Sequence, residues 1–141
     1  MLNALKRLGI GFLLWGVTGA GFSDVVVVMS AQSPSTSINR EELADIYLGR
    51  LNQLPNGAQV IPLDQTERSP LYEEFYQGYL GRTPAQIKAH WSRLIFTGRG
   101  QPPQSVPDDK AMIEAIANNP RAIGYIDSEN VSENLRVLNI E

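Results

Sequence analysis

Gln59-Val60-Ile61-Pro62-Leu63-Asp64-Gln65-Thr66-Glu67-Arg68-Ser69-Pro70-Leu71-Tyr72-Glu73-Glu74-Phe75 is the stretch from which the fold is read. Val60 to Leu63 is a short apolar run with polar neighbours, the pattern of a strand. A polar turn follows, and Ser69 with Pro70 signals a helix start. The serine hydroxyl can accept from N–H groups of the first turn, where a proline forfeits no hydrogen bond. Strand, polar loop and helix N-terminus in succession make an α/β unit. They also point free N–H groups and the positive end of the helix dipole outward together, which suits a small anion. Many Ser-Pro helix starts hold nothing, so the stretch nominates an anion site without deciding it.

Upstream, Val25 to Met29 is an unbroken apolar, β-branched run, as in a strand buried on both faces of a parallel sheet. Ser30 to Ser37 is a hydroxyl-rich turn. The anion site requires the Ser33–Ser37 part of this loop, Ser69 and Arg68 to converge on one concave surface; on opposite sides of the sheet they leave it without support. Asn39 and Glu42 predict a capping box, with Ile38 and Leu43 placed as a hydrophobic staple. Leu43, Ile46 and Tyr47 form the apolar face of that helix, and Gly49 stops it. Pro55-Asn56-Gly57 turns the chain back toward Val60–Leu63. Strand, helix and strand at this spacing predict a parallel βαβ unit with a right-handed crossover. Pro62 predicts that its second strand lies near an edge or ends there.

Downstream of Ser69, Tyr72, Phe75, Tyr76, Tyr79 and Leu80 recur at helical spacing and read as core, with Gly81 as the stop. Thr83-Pro84-Ala85-Gln86 combines cap, first-turn proline and capping-box glutamine. Ile87, Trp91, Leu94 and Ile95 are the apolar face of the third helix. His90, the single histidine, has no carboxylate partner in view and reads as structural or exposed. Gly98 to Pro107 is a Gly- and Pro-rich surface loop without the Gly-Lys-Ser/Thr ending of a phosphate loop, and its Arg99 can reach an anion. Asp108 caps a fourth helix with Ile113, Ile116 and Ala117 turned inward, closed by Pro120. Ala122 to Ile126 is a further buried strand, in which Gly124 marks a bend or a close backbone approach. Leu135 to Ile140 is a last strand or a docked tail.

The 141 residues, 43% hydrophobic and 19% charged, suit one domain with a sizeable core. A net charge of −3 without a basic run gives no footprint for nucleic acid. Lys6 and Arg7, the apolar run Leu8 to Val17 and the small residues Thr18-Gly19-Ala20 have the layout of a secretory signal peptide. Residues 1–23 are therefore expected to be removed, leaving a domain over 24–141 with no stable membrane insertion. No cysteine is present, which excludes disulfides, thiolate metal sites and a cysteine nucleophile. An exported, soluble, periplasmic protein is the expectation.

Four segments resemble, in order, the C-terminal part of the periplasmic phosphate-binding proteins of ABC transporters. They are Leu43 to Arg50, with its closing Gly49-Arg50; Val60 to Phe75; His90-Trp91 with Phe96-Thr97-Gly98-Arg99-Gly100; and Asn119-Pro120-Arg121-Ala122-Ile123-Gly124-Tyr125-Ile126. The resemblance implies one lobe of a type-II periplasmic-binding-protein-like fold, with a mostly parallel sheet flanked by helices. That family has two lobes with phosphate in the cleft between them, so a chain of this size exposes its half unless another copy or an envelope protein covers it. Ser69-Pro70-Leu71 stands where the family has Ser-Gly-Thr, removing a hydroxyl and one N–H donor. Gln65 stands where the family's clamping arginine falls, and Arg68 is the nearby replacement.

The resulting expectation is a solute-binding-type module that binds phosphate or a similar oxyanion weakly through Ser69, Arg68, Thr66 and Gln65. It needs no cofactor or metal. The alternative is a partner-binding envelope module that kept the lobe and lost the ligand site. It becomes the better account if Leu71 or an acid stands across the mouth. No nucleophile–base pair or metal-ligand cluster is legible, and the acid pairs Glu41-Glu42, Glu73-Glu74 and Asp108-Asp109 all fall in first helical turns, so catalysis is not expected.

Overall fold

The computed structural model describes residues 24–141; the expected leader lies outside the described residues. In chain order the elements are β1 (Val25–Ser30), β2 (Ser37–Ile38), α1 (Arg40–Tyr47), β3 (Ile61–Gln65) and α2 (Pro70–Phe75), which runs into a π-helical turn (Tyr76–Leu80). Then come α3 (Pro84–Phe96), β4 (Gln104–Val106), α4 (Asp109–Ala117), β5 (Ala122–Asp127), a 3-10 turn (Ser128–Asn130), β6 (Leu135–Val137) and β7 (Asn139–Ile140). Five strands form one sheet in the order β4-β3-β5-β1-β6, while β2 and β7 pair separately. β3 is parallel to β4 and β5, and β1 runs against both β5 and β6. Four strands therefore point one way and β1 alone points the other. The lobe is α/β, with a mostly parallel sheet.

The expected βαβ unit does not form. β5 lies between β1 and β3, and β1 is antiparallel to it, with Val25 opposite Asp127 and Met29 opposite Ile123. The parallel crossovers run instead from β3 through α2 and α3 to β4, and from β4 through α4 to β5. An unbroken apolar run reports burial on both faces. It says nothing of direction when the strand is interior.

Burial on both faces is what β1 and β5 show. Val27, Met29, Ile123 and Tyr125 face α1, α2 and the π turn, packing with Tyr47, Phe75 and Tyr76. Val28, Ala122 and Ile126 face the other side, against Met112 and Ile116 of α4. Gly124 belongs to that side, and an added Cβ would lie 2.5 Å from Met112 Sδ and 2.6 Å from Ile116 Cδ1. The glycine is the close approach that its place in a strand predicts. The tyrosine and phenylalanine positions of the second helix are core, with Phe75 stacked on Tyr125 at 4.0 Å between ring centres.

The capping residues behave as read. Asn39 and Thr83 form complete capping boxes with Glu42 and Gln86, Asp108 caps α4, and Ser69 caps α2. Pro62 does not place β3 at an edge, nor does it end it. The Ile61 N–H donates to Arg121 O at 2.8 Å on the β5 side, so position 62 faces the opposite side, where pairing to β4 begins only at Leu63. The proline's missing N–H falls where no strand stands to receive it. Gln104–Val106, read as loop, is a strand: between Pro103 and Pro107 it is too short to show a period. Ile95 is 56% exposed, since α3 is anchored further back by Ile87 and Trp91. In α4 the buried pair is Met112 and Ile116, four residues apart, and Ile113 lies to one side of that line.

Candidate functional site

β3 sends its chain on toward β4, while β5 sends its chain toward β6 on the far side of the sheet. Their carboxyl ends therefore part at a topological switch point, the place where open α/β sheets hold ligands. A cavity of about 250 Å³ opens there. Gln65 walls it from the end of β3, Ser69 and Leu71 from the start of α2, Asp108 and Asp109 from the start of α4, and Asp127 from the end of β5.

The structure brings Gln65 and Ser69 together and engages both. Ser69 Oγ donates to Gln65 Oε1 at 2.5 Å and accepts from the Leu71 N–H at 3.2 Å. Gln65 is 1% exposed, and its Nε2 donates to Tyr125 O at 3.0 Å and to Asp109 Oδ1 at 2.7 Å. Asp109 Oδ2 in turn accepts from the Asp127 N–H at 3.0 Å and from Asn130 Nδ2 at 2.8 Å. Three donors from three segments thus converge on one carboxylate at the mouth. Leu71 is buried at 4% exposure in the same wall. By position alone Asp109 reads as a first-turn acid that suits a helix dipole. The available signal was the doubling: Asp108 already caps the helix, so the second acid is free for another task.

Thr66 and Arg68 stand outside the cavity lining. The Thr66 N–H is spent on Val106 O and its carbonyl on the Ser69 N–H. Arg68 is exposed and, among the described residues, its side chain has no hydrogen bond or ion pair. The hydroxyl-rich loop does not join them, so the convergence of Ser33–Ser37 with Ser69 and Arg68 that the sequence-derived anion site requires is not met. β1 is antiparallel, so Ser30 and the residues after it leave the sheet at the edge opposite Ser69. There Ser33 is buried with its Oγ toward Met29 Sδ, and Ser35 Oγ accepts from Asn56. His90 is structural: its Nε2 donates to Leu48 O at 3.0 Å.

Behind the seat lies a second carboxylate. Asp64 of β3 is 6% exposed and accepts from Tyr76 OH, Tyr125 OH and the Gln65 N–H. Burial raises its pKa above the usual carboxylate range, although the phenols and the amide pull the other way. Burial, and then the charge on Asp64, push the phenols of Tyr76 and Tyr125 well up and that of Tyr72 to about 12. The aromatic residues of the core are thus tied to the strand that carries Gln65. Among the described residues no group of acids and histidine is disposed to hold a metal ion, and no helix is long and apolar enough to cross a membrane.

No protein-family model and no curated protein matches the sequence. Among solved structures, the lobe is similar to an ABC-type phosphate transport receptor from Vibrio cholerae, with a TM-score of 0.64 and 16% identity over 82% of this chain and 45% of that one. It is also similar to PstS from Borrelia burgdorferi, with a TM-score of 0.62 and 18% identity over 83% of this chain and 47% of that one. The chain thus spans less than half the length of the solved structures it matches. At these identities the likeness establishes the fold.

Proposed function

We propose, from the fold this chain shares with phosphate ABC transporter substrate-binding proteins, that it is a single-lobed, non-catalytic solute-binding-type module of the periplasm. Its oxyanion seat is filled by its own Asp109. One observation carries the reading: Gln65 Nε2, the Asp127 N–H and Asn130 Nδ2 all donate to the Asp109 carboxylate at the switch point. A small oxyanion needs the same thing, several donors aimed at negatively charged oxygens. With Asp108, Asp109 and Asp127 around the mouth, a free anion meets like charge and occupied donors. An acid across the mouth is the condition that favours a partner-binding module, but the donor set persists behind it, so phosphate binds weakly, on the order of millimolar, at Gln65 and Ser69, with Arg68 and Thr66 outside the cavity lining.

Calorimetric titration of phosphate and sulfate into the purified chain tests this. Each hydrogen bond to a charged group is worth about 1.5–3 kcal/mol, so emptying the seat in Asp109→Ala should tighten anion binding by at least about tenfold. Ser69→Ala in that background should undo the gain. Asp109→Asn, which keeps the shape, is the companion variant if the alanine loosens the fold. A folded variant with no heat and no thermal shift at millimolar anion, alongside a silent wild type, would leave the mouth as a docking surface instead.

A further inference from the structure

We propose that the lobe carries a second anion site, for a phosphate group, in a basic cavity at the end opposite the mouth. α1 and α3 both end by returning the chain to the amino ends of strands, β3 and β4, so their carboxyl ends share the other edge of the sheet. A cavity of about 450 Å³ lies between them. Arg50 follows α1, Arg93 lies in the last turn of α3, Arg99 comes from the loop beyond, and His90 completes the polar wall. No acid lines this cavity, and the chain from Arg82 to Pro107 contains none. In a protein of net charge −3, that segregation concentrates positive charge at one place.

The cations are available. Arg93 and Arg99 make no side-chain hydrogen bond or ion pair among the described residues, and Arg50 holds only a loose, exposed contact with Asp45 at 3.7 Å. A helix carboxyl end favours a cation, which accounts for Arg50 and Arg93 singly. It does not account for Arg99, which the loop folds back onto the same cavity through its N–H to Leu94 O at 2.9 Å. The walls are built to shape. Gly49 has φ 76°, and a Cβ there would lie 2.8 Å from the indole of Trp91; Gly100 flanks the same ring. The bond from His90 Nε2 to Leu48 O ties the two helices together. Three forked guanidiniums suit a doubly charged tetrahedral group, and the volume admits it either free or as the head of a larger molecule.

Trp91 is the reporter, since Trp15 is the only other tryptophan and Trp15→Phe removes it. Titration of inorganic phosphate at low ionic strength should give a saturable change in Trp91 emission. Arg99→Ala or Arg93→Ala should weaken it by about tenfold, one hydrogen-bonded charge each. Arg68→Ala and Asp109→Ala, at the mouth, should leave it unchanged, which separates this site from the other. Sedimentation with phosphatidic acid vesicles, which present a phosphomonoester, against phosphatidylcholine vesicles distinguishes a lipid headgroup from free phosphate; arginine-dependent binding in either arm supports the site. The proposal is overturned by silence in both arms, or by an affinity that the Arg93→Ala/Arg99→Ala double variant leaves intact.

Discussion

At the scale of single residues, the molecule is governed by two carboxylates with opposite surroundings. Asp109 sits half in water and gathers donors, whereas Asp64 is enclosed by phenols. A folded-state pKa above the unfolded value means that Asp64 contributes stability present below about pH 4 and lost as pH rises through its raised pKa. Urea midpoints measured from pH 4 to 7 should therefore fall less in Asp64→Asn than in the wild type. Asp64→Ala should cost about 1–3 kcal/mol, because two buried hydroxyls lose their acceptor. The same linkage makes the tyrosines a source of alkaline lability above pH 10, where unfolded phenols ionise and the buried ones resist. Asn39, Thr83, Ser69 and Asp108 were legible as caps because capping is local chemistry, complete within four residues. Asp109 was not, since its donors come from positions 65, 127 and 130, which only the fold brings together.

At the scale of elements, helices were easier to read than strands. α1 announces both its ends, through the Asn39–Glu42 box and Gly49, and so its cap can be tested in isolation. Asn39→Ala should lower unfolding stability by about 1 kcal/mol, as the Glu42 N–H loses its side-chain acceptor, measured by urea titration followed by circular dichroism. The sheet hid its order. β3 was found from Val60 to Leu63, yet its neighbours were misassigned, because apolar runs such as Val25–Met29 and Ala122–Ile126 state burial and not pairing. β4 was missed because three residues between prolines carry no alternation. The aromatic stripe of α2 was correctly core, and Tyr47 shows why so many tyrosines are tolerated there: its hydroxyl donates to Leu63 O on one strand and reaches Ile123 O on the next.

At the scale of the whole molecule, charge is polarised across the sheet. Acids gather at the carboxyl edge around Asp109, and arginines gather at the other edge around Trp91. The carboxyl end of the described chain is also locked to the segment just before α1. β7 pairs with β2, Leu138 is buried at 3% exposure, and the Glu141 backbone exchanges hydrogen bonds with Ile38 and Arg40 just ahead of α1. Deleting residues 138–141 removes a buried leucine and this ladder together, so the melting temperature should fall by more than about 4 °C, the shift expected of a 1 kcal/mol loss in a domain near this size. Differential scanning calorimetry is the check. The reversed strand has a further consequence. Val25–Ser30 emerges early in synthesis, but both strands that flank it come from beyond position 121. Until residues 122–137 are in place, those valines have no partner strands. Pairing across about a hundred residues makes closure of this sheet a long-range event, which favours slow folding.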